Sequence, residues 1–521
     1  MNAGAAIGNL GWLAASWPEY RRFRRDAGNL EATQRARLEH YLRSNADTAI
    51  GRHYGFARIR SIGEYAERVP IQDYDDLEQW IGRIAKGEAG VLTADPVRLF
   101  EPTSGSSGPS KLIPFTASLQ QEIRQAVATW SSRNFLSQPG LLLGRAYWSL
   151  TPQMSVPGRP DSVVPIGFDE DSAYLGGVAQ KLINWTLVAN PALRDMHDMH
   201  DMDEFWRATL LMLLRCRDLR LVSVWHPSYL VLLIERLRDQ WDSLLKDLEG
   251  TDPRHAGHLQ YAGCDNLQRI WPELRLISCW ADGHAAATVA QLKALFPSVI
   301  IQPKGLIATE GVVTIPLGEQ RPLAVRSHFF EFLDDSGNAR ASWQLQEGRT
   351  YSVILTTGGG LYRYRLGDRV EVDGFFRDTP SLRFLGREDA VSDLRGEKIS
   401  EGFAGQVIRD VLARNHIESR FSMLAVEDES TTPAYVLFLD MDTEAPGKLA
   451  QQLERELCAN PHYELCARLG QLGKARVARI GGSGFELYSK RLSDMGMRIG
   501  DIKPTPLSRQ SGWSRFFPAT N

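Results

Sequence analysis

The chain has 521 residues, 43% of them hydrophobic and 24% charged, a globular balance on a length that exceeds one domain of usual size. A formal net charge of -3 removes any global electrostatic case for a nucleic-acid partner. Five cysteines with no C-x-x-C pair argue against a zinc or redox motif. No run approaches the ~20 apolar residues that span a bilayer, and no basic stretch precedes the mildly apolar start, so a soluble cytoplasmic protein with no membrane partner is expected.

In chain order, Arg21-Arg22-Phe23-Arg24-Arg25 reads as a solvated helix face, and apolar spacing predicts a helix over Leu30 to Asn45. Val97 to Glu101 alternates as a short strand and leads into a Ser/Gly-rich turn, Thr103 to Ser110, with a helical pattern over Leu119 to Phe135. Strand, glycine-rich turn and helix in that order recur in α/β nucleotide-binding folds. The run DMHDMHDMDE, residues 195–204, brings His197 and His200 three apart. Without a distant ligand cluster it reads as solvated surface rather than a metal site. Leu221 to Trp225, Leu274 to Trp280 and Val299 to Gln302 are β-rich, with helical segments at Leu230 to Leu237 and Ala285 to Phe296. From Thr350 to Phe384 the pattern turns to shorter strands. A fresh helix/strand set follows Gly386 to Asp389. These elements predict a mixed α/β protein, with mixed sheets under covering helices in a large domain, 1–386, a hinge at 387–390 and a smaller mobile domain at 391–521.

Five segments carry chemistry. In Thr103-Ser104-Gly105-Ser106-Ser107-Gly108-Pro109-Ser110-Lys111, glycines let amides converge on an anion, hydroxyls add donors and a lysine adds charge. It is not the P-loop of nucleotide triphosphatases, because Ser110 stands before the lysine and Leu112 after it; the plain alternative is a flexible linker. Gly305-Leu306-Ile307-Ala308-Thr309-Glu310-Gly311 places an acid where it could reach a hard cation. In Tyr362-Arg363-Tyr364-Arg365-Leu366-Gly367-Asp368, the carboxylate could accept from vicinal ribose hydroxyls, or simply pair with an arginine on a strand edge. Gly386-Arg387-Glu388-Asp389, followed by Gly396-Glu397-Lys398-Ile399, and Lys503 in Gly500-Asp501-Ile502-Lys503-Pro504 would each pass for an ordinary turn if seen alone.

Taken jointly, TSGSSGPSKLIPFT, ATEG, YRYRLGD, GRED/GEKI and the late lysine resemble the auxin-conjugating acyl-acid amido synthetases. That is the Gretchen Hagen family of plants, and in particular its bacterial members, within the adenylate-forming group of acyl-CoA synthetases and luciferases. The resemblance covers nearly the whole chain. One departure is Ala308-Thr309-Glu310, where plant members have a Ser-Ser-Glu form, so plant-type substrate choice does not carry over.

The resemblance implies an enzyme that uses ATP and Mg2+ to adenylate a small carboxylic acid and then transfers the acyl group to the amine of an amino acid. Glu310 and Lys503 would be catalytic, with Glu310 also the metal ligand. Ser104, Gly105, Ser106, Ser107, Lys111, Thr309, Tyr364, Asp368 and Arg387 would bind the nucleotide. Arg387, Glu388 and Asp389 are the hinge candidates. Aromatic residues near predicted strand ends, Tyr147, Trp148, Trp225, His226 and Tyr229, are acyl-pocket candidates, with core packing as the plainer role. Competing readings are delivery of the acyl group to CoA or a carrier thiol, and an inactive nucleotide-binding protein; a monomer is compatible with all three.

Overall fold

The computed structural model describes residues 2–103, 111–148, 162–167, 185–188, 202–282, 285–388, 391–427, 432–442, 446–495, 497 and 502–518. Helices open the chain. Ala3–Asp26 begins on Asn2, whose side chain accepts from the Ala5 amide, and it carries the arginine run on its outer turns. Leu30–Ser44 follows, ending one residue before the expected limit.

A hairpin, β1 (Leu99–Pro102) against β2 (Leu112–Phe115), comes next. Its connection is the Ser/Gly-rich segment. Of that segment Ser104, Gly105, Ser106 and Ser107 lie outside the described residues. The helix Ala117–Ser137 then starts on Thr116, which accepts from the Leu119 amide.

A four-stranded parallel sheet follows in the order β3 (Arg145–Trp148), β4 (Leu219–Ser223), β5 (Leu276–Cys279) and β6 (Ile300–Pro303). Its central strands, β4 and β5, are buried on both faces, as parallel strands under crossover helices are, while the edge strands β3 and β6 are partly exposed. Tyr147, Val222 and Ile277 share one register row and face a core packed by the helices Met202–Arg215 and Pro227–Asp239. The alternate row, Trp148, Ser223, Ser278 and Gln302, faces the other way. There Trp130 on Ala117–Ser137 donates its indole N–H to Gln302 Oε1 at 2.8 Å.

Beyond β6 lies a two-stranded ribbon, β7 (Ile307–Ala308) and β8 (Gly311–Val312). A five-stranded antiparallel sheet follows, in the order β10 (Ala339–Ala341), β9 (Phe329–Leu333), β11 (Thr350–Thr356), β12 (Tyr364–Phe376) and β13 (Thr379–Arg387). Its inner face and the opening helices form one core that includes Trp280, Leu306 and Val312.

After β13 a separate sheet is built from β16 (Phe421–Glu427), β17 (Ala434–Asp440), β18 (Gly473–Arg479) and β19 (Leu507–Ser508). A short ribbon, β14 (Val391–Ser392) with β15 (Ile399–Ser400), precedes it. Alternate residues of β16 and β17 divide between two cores: Leu424, Val426, Leu437 and Leu439 on one face, Met423, Ala425, Val436 and Phe438 on the other. That is the period of two expected of a sheet covered on both sides. This unit touches the rest at Trp280, at β13 through its helix Glu401–Arg414, and at the far end of Pro227–Asp239. Arg236 pairs with Glu486, and Phe485 packs on the parallel-sheet core.

Candidate active site

Glu310 sits in the tight turn between β7 and β8 and is 7% exposed. Its placement is rigid. Val312, two residues on, donates its amide to His328 Nε2 at 3.0 Å, and the other ring nitrogen lies 3.0 Å from the buried Glu122 carboxylate. Gly311 is required here, because a Cβ would stand 2.6 Å from His328 Nε2. The Tyr364 hydroxyl donates to Glu310 Oε1 at 3.4 Å. Burial lifts the Glu310 carboxyl above the ordinary range; hydrogen bonding to its own backbone and the charges of Arg387 and Lys111 oppose the rise. Burial, then the neighbouring Glu310, pushes the Tyr364 phenol far above its usual value, so it remains a donor.

Asp368 and Arg387 are cross-strand partners on β12 and β13, with Arg387 Nε 3.9 Å from Asp368 Oδ1. Asp368 is 5% exposed and Arg387 is the more open of the two. Lys111 stands at the mouth of the Ser/Gly-rich segment, which Thr103 and Lys111 close with a backbone hydrogen bond of 2.9 Å. Its ammonium lies 5.8 Å from the centre of the Tyr74 ring, whose hydroxyl accepts from the Leu112 amide. Lys111, Tyr364 and Arg387 act on Glu310, and Arg387 stands beside Asp368, so these five residues from four separate sequence segments are brought together, with half-buried Thr309 next to Glu310. The arginines of the third segment do something else. Arg363 is buried, held at φ 47, and makes a two-pronged pair with Glu331, while Arg365 at the surface pairs with Glu388.

Lys503 comes from the C-terminal unit and places its ammonium 5.4 Å from the centre of the Trp280 ring. Trp280 in turn stands edge-on to Phe384, three residues before Arg387 on β13. The late lysine is thus set over Trp280, which packs on the strand that carries Arg387. Tyr488 holds its backbone, donating to the Lys503 carbonyl at 3.1 Å.

The five aromatic candidates divide. Tyr147 and Tyr229 join hydroxyls at 2.9 Å inside the parallel-sheet core. His226 caps Pro227–Asp239, its Nδ1 accepting from the Ser228 amide at 3.2 Å. These three are packing and capping groups. Trp148 and Trp225 lie on the opposite face with Trp130 and Trp280. Sequence reasoning passed over Lys304, whose ammonium donates to Ser223 Oγ at 2.7 Å and lies 5.3 Å from the Trp225 ring centre. Its position one residue past an apolar strand was the available signal. His328 and Glu122 were also missed, since nothing in their local sequence links them to Glu310. His197 and His200 lie outside the described residues. Among the described residues no cluster of three or more His, Cys, Asp or Glu is arranged to hold a metal, and no helix is long and apolar enough to cross a membrane.

The fold is that of the adenylate-forming amido synthetases. A solved structure described as "AtGH3.15 acyl acid amido synthetase in complex with 2,4-DB" superposes with a TM-score of 0.81 at 19% identity, over 95% of this chain and 94% of that one. Models of the GH3 family match three stretches that together make up most of the chain: the N-terminal domain over residues 19–255, the central domain over 322–387 and the C-terminal domain over 405–512. The chain belongs to the GH3 family. Curated relatives include the indole-3-acetic acid-amido synthetase GH3.8 of Oryza sativa subsp. indica, 25% identical over 80% of this chain and 77% of that protein. The jasmonoyl–L-amino acid synthetase JAR6 of Nicotiana attenuata is 22% identical over 89% of this chain and 86% of its own length.

Proposed function

We propose that the chain uses ATP to convert a small carboxylic acid into its acyl-adenylate and then transfers the acyl group to the amine of an amino acid. The observation that supports it is the gathering of Lys111, Tyr364 and Arg387 around Glu310, with Asp368 beside Arg387 and Lys503 over Trp280.

In the first step the substrate carboxylate attacks the α-phosphorus of ATP, a P–O bond forms and pyrophosphate leaves. Two anions meet, and their repulsion at ~4 Å grows from about 1 kcal/mol in water to several-fold more at protein-like dielectric. Prearranged positive charge offsets it. Lys503 serves the α-phosphate. Lys111, with Ser104, Gly105, Ser106 and Ser107 of its segment, serves the phosphates that depart. Asp368 accepts from the ribose hydroxyls, with Arg387 alongside. A lone buried carboxylate with Thr309 beside it fits Mg2+, which is commonly held by one or two carboxylates plus substrate phosphates. Glu310 would hold that ion, which when bound supplies further charge neutralisation.

In the second step a neutral amine attacks the acyl carbon and AMP leaves, carrying the bridging oxygen. Proximity does most of this work, because AMP is a good leaving group. Lys503 must withdraw for the amine to enter, and the C-terminal unit supplies that motion. Glu388 is tied to the large sheet through Arg365, Ser352 and a 2.7 Å bond from its amide to the Gly367 carbonyl. Of the hinge candidates, Arg387 and Glu388 are thus held to the large sheet, and Asp389 lies outside the described residues.

The test is acid-dependent ATP–pyrophosphate exchange across aryl, indolyl and fatty acids, followed by product analysis with amino acids and with CoA. Lys503→Ala should lower exchange by about 10²–10³-fold, the scale of one lost electrostatic contact to the transition state, with ATP affinity little changed. Normal exchange in that variant would remove Lys503 from the first step.

A further inference from the structure

One charged group at the carboxyl ends of the parallel strands has no part in the scheme above. Lys304 leaves β6, its amide bonded to the Cys279 carbonyl at 2.8 Å. The chain is then clamped: a Cβ at Gly305 would sit 2.1 Å from the Thr314 carbonyl oxygen, and the Leu306 amide donates to Thr314 Oγ1 at 2.7 Å. With the backbone so held, the side chain turns back toward the sheet and its ammonium reaches Ser223.

That ammonium lies at the level of the row Trp148, Ser223, Ser278 and Gln302. Trp225 and Trp280 stand one row nearer the strand ends and are joined by a backbone bond of 2.8 Å. A row is two residues, roughly 7 Å along a strand. Lys503 lies over the Trp280 ring and Lys304 over the Trp225 ring, with Lys304 reaching down to the Ser223 level.

The setting of Lys304 is an unusual one for an apolar ligand. Among the described residues no carboxylate pairs with Lys304; its partners are the Ser223 hydroxyl and the Trp225 ring. Burial pulls its pKa down to about 8, and the neighbouring Cys279 thiol, pushed up by burial to about 12, offers no charge in return. Ser278 is fully buried, and its hydroxyl has no partner among the described residues. Unmet polar groups in such a place carry a cost unless something else satisfies them.

We infer that Lys304, with Ser223 and Ser278, recognises a hydrogen-bond acceptor or anionic group (hydroxyl, phenolate or carboxylate) on the end of the acyl substrate remote from the carboxylate that is activated. This rests on the adenylation proposed above and adds the substrate class: an aromatic acid with a polar far end. An acid of that kind lays its ring against the tryptophans, presents its reacting carboxylate to Lys503 and ends on Lys304.

The experiment compares phenylacetic, 4-hydroxyphenylacetic and 4-carboxyphenylacetic acids in ATP–pyrophosphate exchange. The wild type should favour a substituted acid over the plain one by about 10- to 100-fold in kcat/KM, the scale of one charge-assisted hydrogen bond. Lys304→Met should bring that ratio close to one, Lys304→Arg should keep part of it, and Ser278→Ala should reduce it. A wild-type preference for phenylacetic acid, or an unchanged ratio in Lys304→Met, overturns the inference while leaving adenylation standing. Exchange with no acid of a broad panel would instead sink the parent reading. Lys304→Met should melt no earlier than wild type, because it removes a desolvated charge; if it does melt early, Ser278→Ala decides through the same ratio.

Discussion

At the scale of single residues, the site holds charges at a cost. Glu310 is the clearest case, since burial raises its carboxyl. A carboxyl whose folded pKa is raised binds more protons when folded, so its contribution to stability falls as pH climbs from the ordinary glutamate range through the raised value. Glu310→Gln should therefore melt at or above wild type near neutral pH while exchange drops by about 10²–10³-fold. Early melting of that variant would contradict the account. In the wild type, the apparent KM for Mg2+ should rise as pH falls, because only the ionised carboxylate binds the cation. Asp368→Ala should weaken ATP binding by about 10- to 100-fold, as loss of a charge-assisted acceptor does; unchanged affinity would remove the ribose role. Glu310, Asp368 and Lys503 could be proposed from the sequence because each lies in a short motif whose residue types match one chemistry. Lys304 could not, since a lone lysine after a strand is ordinary until the fold sets it against Ser223.

At the scale of elements, periodicity located three of the four parallel strands, β4, β5 and β6, to within two residues and gave no strand at β3, and it located the helix that follows the Ser/Gly-rich segment. Apolar runs of four or five residues identify buried strands, but they do not say which alternate row faces which helix. That is why Tyr147 and Tyr229 stood beside Trp148 and Trp225 as pocket candidates, although the sheet sends the first two to its opposite face. The ribbon carrying Glu310 is another such case. Two strands of two residues have little stability of their own, and the turn is held by His328, 16 residues further on, backed by Glu122. Gly311→Ala should cost about 1–3 kcal/mol by overpacking and raise the KM for Mg·ATP as Glu310 is displaced, checked by thermal melting and exchange kinetics. An unchanged melting point would show that the ribbon is not clamped.

At the scale of the whole molecule, the C-terminal unit has its own two cores and reaches the large sheet system through few polar contacts. Arg236 with Glu486 is one of them, and Glu486 is nearly half exposed. Such a pair contributes about 0.2–1 kcal/mol, enough to bias an orientation without locking it. Reversing Arg236 to Glu should shift the domain populations less than about tenfold, read by distance labels on the two units, and adding Glu486→Arg should restore them. The helix bearing Arg236 begins beside Trp225, so the proposed acyl site and the domain interface would share one rigid element. Nothing in the sequence signals that link, because it joins residues some 250 positions apart.

The central claim is that the acid's own oxygen becomes bonded to the α-phosphorus. Supplying the acid with both carboxylate oxygens as 18O, together with ATP and an amino acid, tests it directly by mass spectrometry. The account predicts one 18O in the AMP and one in the amide. Label in inorganic phosphate beside ADP, or AMP free of label, would contradict it.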